Sequence, residues 1–297
     1  LVGAVVIIIG SVLWYLGYAR NRVEREGAAV AELRQRLGDQ AVAEPRERLS
    51  QPGYEVLVGV SEHTSPERER TLVRTAVDVA RAHDGGVAVV RFDVEPDQTP
   101  LSYAETVQSP GDEAFESFTR ELADDALVPV SFGEVVSHDT AHAVTNVTDE
   151  HDADLLLLPA DDPGFEGGFL GGGVGWIRRH ATCDVASLTE GTPQDVHEVR
   201  VVTDRGPYDP VKLALADAIA SVNDATVTLE HRSGGRASTS GATEAYHADL
   251  AEEVRAPVRV VTSRTDGGQD GGPDVVVVSA NTDVPTDWSA PRLPIYP

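Results

Sequence analysis

From residue 54 onward, short apolar runs alternate with amphipathic stretches, which is the pattern of strands and helices in an α/β protein. The amphipathic stretch after the first run places Leu72, Ala76 and Ala80 at helical spacing. The predicted strands of this first unit are 54–60, 87–92, 128–136, 155–158 and 185–188. Because these strands are apolar throughout and alternate with helices, they predict a parallel, doubly wound sheet with helices on both faces.

A second, shorter unit repeats the same alternation between residues 194 and 284. Its predicted strands are 199–203, 225–229, 258–262 and 274–279, and its predicted helices are 210–222 and 242–254. We therefore divide the soluble part of the chain into a domain at 54–190 and a shorter copy at 194–284. The last residues, 285–297, contain several prolines and are predicted to be irregular.

The first residues form a pattern typical of a membrane span. Residues 1–19 contain no charged side chain, Trp14 lies near their end, and Arg20 and Arg22 follow directly. At about 1.5 Å per residue the stretch makes a helix about as long as a bilayer core is thick. A signal peptide would carry its positive charge before the apolar run, and a buried helix is rarely so uniformly apolar.

By the positive-inside rule, residues 20–297 are expected on the cytoplasmic side of the cell membrane, with lipid contact confined to residues 1–19. Residues 20–53 read as a juxtamembrane linker. The chain begins inside the apolar run, so we expect residues 1–19 to be the last helix of a longer membrane protein.

The charge balance excludes one large class of partners. The 297 residues hold 24 Lys plus Arg against 49 Asp plus Glu, a formal net charge of −25. Such a surface repels phosphates, so we expect no nucleic acid partner. An acidic, lysine-poor composition suits a protein dissolved in molar salt, where screening removes most self-repulsion. The single cysteine, Cys183, allows no disulfide within the chain.

Two stretches of the first unit resemble universal stress protein domains. One is VLVGVSEHTSPERERTLVRTAVDVARAH, from Val56 to His83, and the other is GGGVGWIRRHATCDVASL, from Gly171 to Leu188. In the second stretch Asp184 stands where the family usually has proline. The resemblance is clear over 54–190 and weak over 197–280. It implies a Rossmann-like tandem pair in which the second domain is degenerate, joined within the chain or through a dimer.

The segment VSEHTSPERERTLVRTA, together with PDQTPLS at 96–102, resembles the cytoplasmic tails of halophilic-archaeal amino acid permeases of the amino acid–polyamine–organocation superfamily. WYLGYARNRVEREG, at 14–27, looks like the exit from the last helix of such a permease. This resemblance implies a regulatory module of an amino acid transporter, whose membrane domain would be a partner in the same chain. A stand-alone, membrane-anchored stress protein homologue, acting in nucleotide binding or scaffolding, is the alternative.

The resemblance also implies a nucleotide site that binds ATP or AMP, here with an eroded motif. Nucleotide-binding members carry an Asp after the first strand and a glycine loop after the fourth. In this chain Ser61 takes the place of that Asp, and Leu158 and Asp161 stand where the first two glycines are expected. The candidate nucleotide-binding residues are Val60, Ser61, Gly168, Gly171 and Gly172.

Two interpretations of the glycine-rich segment after the fourth predicted strand remain open. The surrounding glycines could cradle phosphate in a shifted register, or the segment could be a glycine-rich connection that has lost its ligand. Asp161 and Asp162 disfavour a triphosphate.

Other groupings give no stronger candidate. His138 and His142 have the spacing of metal ligands on one helix face, but a polar helix start explains them equally well, and we expect no metal. The sequence contains neither a P-loop nor a Gly-x-Ser-x-Gly motif. We therefore expect no enzyme activity.

Overall fold

The computed structural model describes residues 53–94, 110–137, 139–166, 173–189, 195–203, 208–233, 241–264, 273–279, 290 and 292–296. The strands are β1 (Glu55–Ser61), β2 (Gly86–Val94), β3 (Val130–Ser137), β4 (Leu155–Pro159), β5 (Asp184–Leu188), β6 (Glu198–Thr203), β7 (Thr226–Ser233), β8 (Val258–Arg264), β9 (Val275–Ser279) and β10 (Arg292–Tyr296). The helices are α1 (Pro66–Ala82), α2 (Pro110–Ala126), α3 (Thr140–Glu150), α4 (Pro163–Glu166), α5 (Gly173–His180), α6 (Pro210–Val222) and α7 (Gly241–Glu253).

The strands form one ten-stranded sheet in the order β3-β2-β1-β4-β5-β10-β9-β6-β7-β8. Each half of this sheet is parallel, and the halves meet where β10 runs antiparallel to β5. When the second half is followed inward from its edge, its order is β8-β7-β6-β9-β10, which repeats β3-β2-β1-β4-β5. The predicted doubly wound α/β fold and its shorter copy are both present.

Local sequence signals explain where α1 begins and ends. The Ser65 side chain accepts a hydrogen bond from the Arg68 backbone N–H at 3.4 Å, and Pro66 opens the helix with its φ already suited to it. The helix ends at Ala82, and Asp84 follows with φ at 51°, a left-handed value that Asp tolerates better than most residues. The chain then turns into β2.

Alternate residues of β1 pack on opposite faces of the sheet, as the strand period requires. Val56 and Val58 lie in the larger core with α1 and α6, which extends through both halves. Leu57 lies in a second core with α3 and α5, on the other face of the first half. The sheet of the first half is therefore buried on both sides, which is why its strands are apolar throughout.

The prediction of an irregular C-terminal tail is wrong for Arg292–Tyr296, which form β10. Pro294 lies inside this strand, where a missing N–H normally argues against sheet pairing. Pairing still forms because β5 and β9 each offer an edge to β10, and because Leu293 is fully buried there. Thr189 donates its backbone N–H to the Arg292 carbonyl at 3.0 Å, while the Arg292 N–H donates to the Thr189 hydroxyl at 2.9 Å.

Helices α1 and α6 form a second contact between the halves. The Asn223 side chain donates to the Asp78 carboxylate at 2.9 Å across this contact. Arg255, after α7, donates to the buried Asp217 carboxylate at 2.7 Å and to the Ala82 carbonyl at 2.6 Å. Arg255 therefore ties α6 of the second half to the C-terminus of α1 in the first.

The membrane helix predicted at 1–19 and most of the linker predicted at 20–53 lie outside the described residues. Among the helices that are described, none is long and apolar enough to cross a membrane.

We expect Leu293→Ala to lower the free energy of unfolding by about 3 kcal/mol, because it opens a cavity at the junction of the halves. Leu127→Ala is the matched control, since the Leu127 side chain is 90% exposed, and it should change stability by less than about 0.5 kcal/mol. Denaturant unfolding of both variants in molar KCl measures the difference. Equal stability of the two variants would show that β10 is not part of the core.

Candidate functional site

The crevice at the carboxyl ends of β1 and β4 is the place where an open α/β sheet usually binds its ligand. The strand order reverses direction there, with β2 on one side of β1 and β4 on the other. Ser61 ends β1, and Pro159 ends β4. The segments that follow these two residues form the walls of the crevice.

The carboxylate of Asp162 joins these two walls. Its Oδ1 accepts hydrogen bonds from the Ser61 hydroxyl at 2.7 Å and from the Gly164 backbone N–H at 2.8 Å. Its Oδ2 accepts from the Thr64 hydroxyl at 2.6 Å. Asp162 and Ser61 are each only 1% exposed. A buried carboxylate is tolerated when several donors bind it, and here three donors do so.

The β1 side of this cluster is fixed by its own hydrogen bonds. The Thr64 hydroxyl accepts from the Ser61 backbone N–H at 2.9 Å, and the Ser61 hydroxyl accepts from the His63 N–H at 3.1 Å. The two hydroxyls therefore each accept from the backbone and donate to Asp162. From α1, the Arg68 guanidinium also donates to the Ala160 carbonyl at 2.8 Å.

The space beside the cluster is filled as well. A Cβ atom on Gly164 would lie 2.4 Å from the Ser61 side chain, so only glycine allows the two segments to approach this closely. The next residue, Phe165, is 1% exposed, and its ring meets that of Phe92 edge-to-face with centroids 6.0 Å apart. The crevice between β1 and β4 is thus occupied by the chain's own side chains.

Of the five predicted nucleotide residues, Val60 and Ser61 are the two that lie among the described residues. Ser61 lies in the crevice, but the Val60 side chain points to the other face of the sheet and lies in the core with α1. There it borders a cleft of about 230 Å³ between β2, β3 and α2, which Arg91, Phe115 and Glu134 also line. Gly168, Gly171 and Gly172 lie outside the described residues.

Sequence reasoning missed the role of Asp162 and Thr64. It treated Asp161 and Asp162 alike, as charges that repel phosphate. The structure separates them: Asp161 is exposed with φ at 55°, whereas Asp162 is buried and bound. The sequence feature that could have indicated this role is the pair Ser61 and Thr64, whose hydroxyl groups are three residues apart and can donate to the same carboxylate.

The histidines considered as metal ligands are explained by helix capping in the part that is described. Asp139 caps α3, accepting from the His142 backbone N–H at 3.1 Å and approaching His142 Nδ1 at 2.8 Å. The backbone hydrogen bond from His142 is the main reason why the pKa of Asp139 lies below its usual range. Within the described residues no group of three or more His, Cys, Asp or Glu side chains could hold a metal ion, and His138 lies outside them.

Cys183 is not an activated thiol. Burial, followed by the nearby Asp184 carboxylate, raises its pKa to about 11, so it remains protonated at neutral pH.

Comparison with known proteins agrees with this architecture. Residues 54–188 match the universal stress protein family, so this part of the chain is a universal stress protein domain. The fold of both halves is similar to that of the cytoplasmic domain of a prokaryotic cation chloride cotransporter, with a TM-score of 0.53 and 14% identity, covering 82% of this chain and 95% of that one.

Two further structures are similar at lower scores. A universal stress protein from Archaeoglobus fulgidus DSM 4304 has a TM-score of 0.47 and 9% identity, covering 82% of this chain and 97% of that one. A universal stress protein in complex with cAMP has a TM-score of 0.32 and 20% identity, covering 46% of this chain and 95% of that one. No curated protein matches the chain.

We expect Asp162→Asn to lower the free energy of unfolding by about 1–3 kcal/mol, because an amide has one acceptor oxygen where the carboxylate serves three donors. Asp161→Asn is the matched control, since Asp161 is exposed and Asn tolerates its positive φ. It should change stability by less than about 0.5 kcal/mol. Denaturant titration compares the two; an unchanged stability in Asp162→Asn would mean that the cluster does not close the crevice.

Proposed function

We propose that this chain is the regulatory module of a membrane transporter, and that it acts as a pair of universal stress protein-like domains joined in one chain. The observation that carries the proposal is the continuous sheet, in which β10 joins two halves of the same strand order. A pair built into one chain needs no second copy to complete its interface. It can respond to a signal by changing how its halves sit against each other.

The transporter context is supported by two observations of different kinds. The fold that extends over both halves is shared with a cotransporter's cytoplasmic domain, so a pair of this shape is compatible with attachment to a transport protein. Residues 1–19 have the composition of a membrane helix, and the arginines after them favour a cytoplasmic location for the rest. The resemblance to amino acid permeases names amino acids as the transported class.

In this proposal the module selects no substrate. Transporter substrate sites lie among membrane helices near the bilayer midplane, not in an appended domain. The module instead biases the transporter through unequal affinity for its conformations. A membrane-anchored homologue acting alone remains the alternative, and it would have no upstream membrane helices in its reading frame.

The geometry favours domain pairing over nucleotide sensing. A nucleotide entering between β1 and β4 would have to displace the Asp162 cluster and then place its phosphates near a carboxylate. We infer that the first half works without ATP or AMP in this crevice.

Calorimetric titration of ATP and of AMP into the folded chain in molar KCl tests this inference. We expect no binding below millimolar concentration, because the closed crevice must first be opened. Micromolar binding that weakens when Gly171 and Gly172 are both replaced by leucine would contradict it. That outcome would restore a nucleotide sensor with a shifted phosphate loop.

Amino acid uptake tests the transporter assignment itself. The complete reading frame that encodes residues 1–297 is reconstituted in vesicles, beside the same frame ended after residue 53. We expect both forms to transport, with the rate differing several-fold because the module biases the membrane domain. Equal rates at equal protein amounts would contradict a regulatory role, and a frame without further membrane helices would favour the stand-alone alternative.

A further inference from the structure

Asp78 lies at the contact between the two halves, where a negative charge is poorly accommodated. It is on α1, faces α6 and is partly buried there. Its Oδ2 accepts a hydrogen bond from Asn223 Nδ2 at 2.9 Å, and the same nitrogen donates to the Ile219 carbonyl at 2.8 Å. Both amide hydrogens of Asn223 are therefore used, which fixes the amide with its nitrogen towards Asp78.

The surrounding charges do not cancel that of Asp78. Arg81 and Arg74 are the positive charges that lower the pKa of Asp78, and both lie on α1, the helix that carries Asp78. The Arg74 guanidinium is turned towards α2, 5.7 Å from the centroid of the Phe118 ring. Burial outweighs the Asn223 hydrogen bond and both arginines, so the pKa of Asp78 is raised to about 6.

On α6 of the second half the described cation is the buried Lys212, but the charges that lower the pKa of Asp78 are those of Arg81 and Arg74. Asn223 is neutral, and the next residue, Asp224, is an exposed acid. The Arg255 guanidinium is bound to the Asp217 carboxylate and to the Ala82 carbonyl. On α2, Arg120 is paired with Glu116 at 2.6 Å.

We propose that the contact between α1 and α6 is a proton-operated clasp, in which proton uptake by Asp78 tightens the two halves against each other and proton loss loosens them. Arg255 and β10 keep the halves attached in both states, so the change is a shift in packing and not a separation. For transport, the clasp rests on the proposed regulatory function: acidification would tighten the module and alkalinisation would relax it.

The direction follows from the two protonation equilibria. In the tight form Asp78 binds its proton with a pKa of about 6, whereas in a loosened, hydrated form it returns towards its ordinary value of 3.8. The tight form therefore holds more protons between these limits, and its advantage is lost as pH rises through 6. The ratio of tight to loose forms is expected to fall by about fiftyfold between pH 4 and pH 7.

Distance measurement between the halves tests the clasp directly. Spin labels are placed at Glu121→Cys on α2 and Glu252→Cys on α7, both exposed, in a Cys183→Ser background. We expect a narrow distance distribution at pH 5 that broadens or shifts at pH 7.5. In Asp78→Asn, which keeps an acceptor for Asn223 but cannot ionise, the distribution should remain narrow at both pH values.

Asp84→Asn is the matched control, because Asp84 is exposed just after the same helix and Asn tolerates its positive φ. It should behave like the unmodified chain. The Asn223 side-chain amide signals in NMR provide a second measure, with an expected titration midpoint near pH 6 that Asp78→Asn abolishes. Unchanged distances between pH 5 and 7.5, or a pH response that persists in Asp78→Asn, would overturn the clasp. Neither measurement requires transport, so failure of the clasp and failure of the transporter assignment are distinguishable.

Discussion

Strand β10 is the innermost strand of the second half, and it pairs with both halves, parallel to β9 and antiparallel to β5. Without it, β5 and β9 would each present an open edge of a buried, apolar strand, which is a site for unwanted pairing. Arg292–Tyr296 fill this junction. The two halves also share one core beneath α1 and α6, and the contact between these helices is a second connection between the halves.

Most strands and helices of the two halves could be predicted from the sequence, but β10 could not. Apolar strands such as Leu155–Pro159 can only be buried on both faces, so composition and periodicity are enough to predict that they exist. The capping signal at Ser65 and Pro66 marks the start of α1 with equal clarity. Strand β10 was missed because Pro294 opposes local sheet formation, and only the edges of β5 and β9, distant in sequence, favour it.

Contacts between residues distant in sequence also explain why the candidate site was not predicted. The resemblance showed that Ser61 stands where an acid is expected. It could not show that Asp162, a hundred and one residues later and just after β4, brings a carboxylate into the same crevice. The Asp162 carboxylate then accepts hydrogen bonds from the protein itself and is not available to a ligand. The sequence does not distinguish an aspartate that repels phosphate from one that holds its own chain together. Only burial of the carboxylate and the hydroxyl groups that donate to it make that distinction.

The two halves of the described sheet are joined through β10. Hydrogen exchange of the β10 amides tests it most directly, because exchange depends on whether the strand is bonded within the sheet. We expect the amide of Leu293 to be protected to a similar extent as the amides of the core strand β1. Exchange of the β10 amides within seconds, at the rate of an unstructured chain, would contradict it.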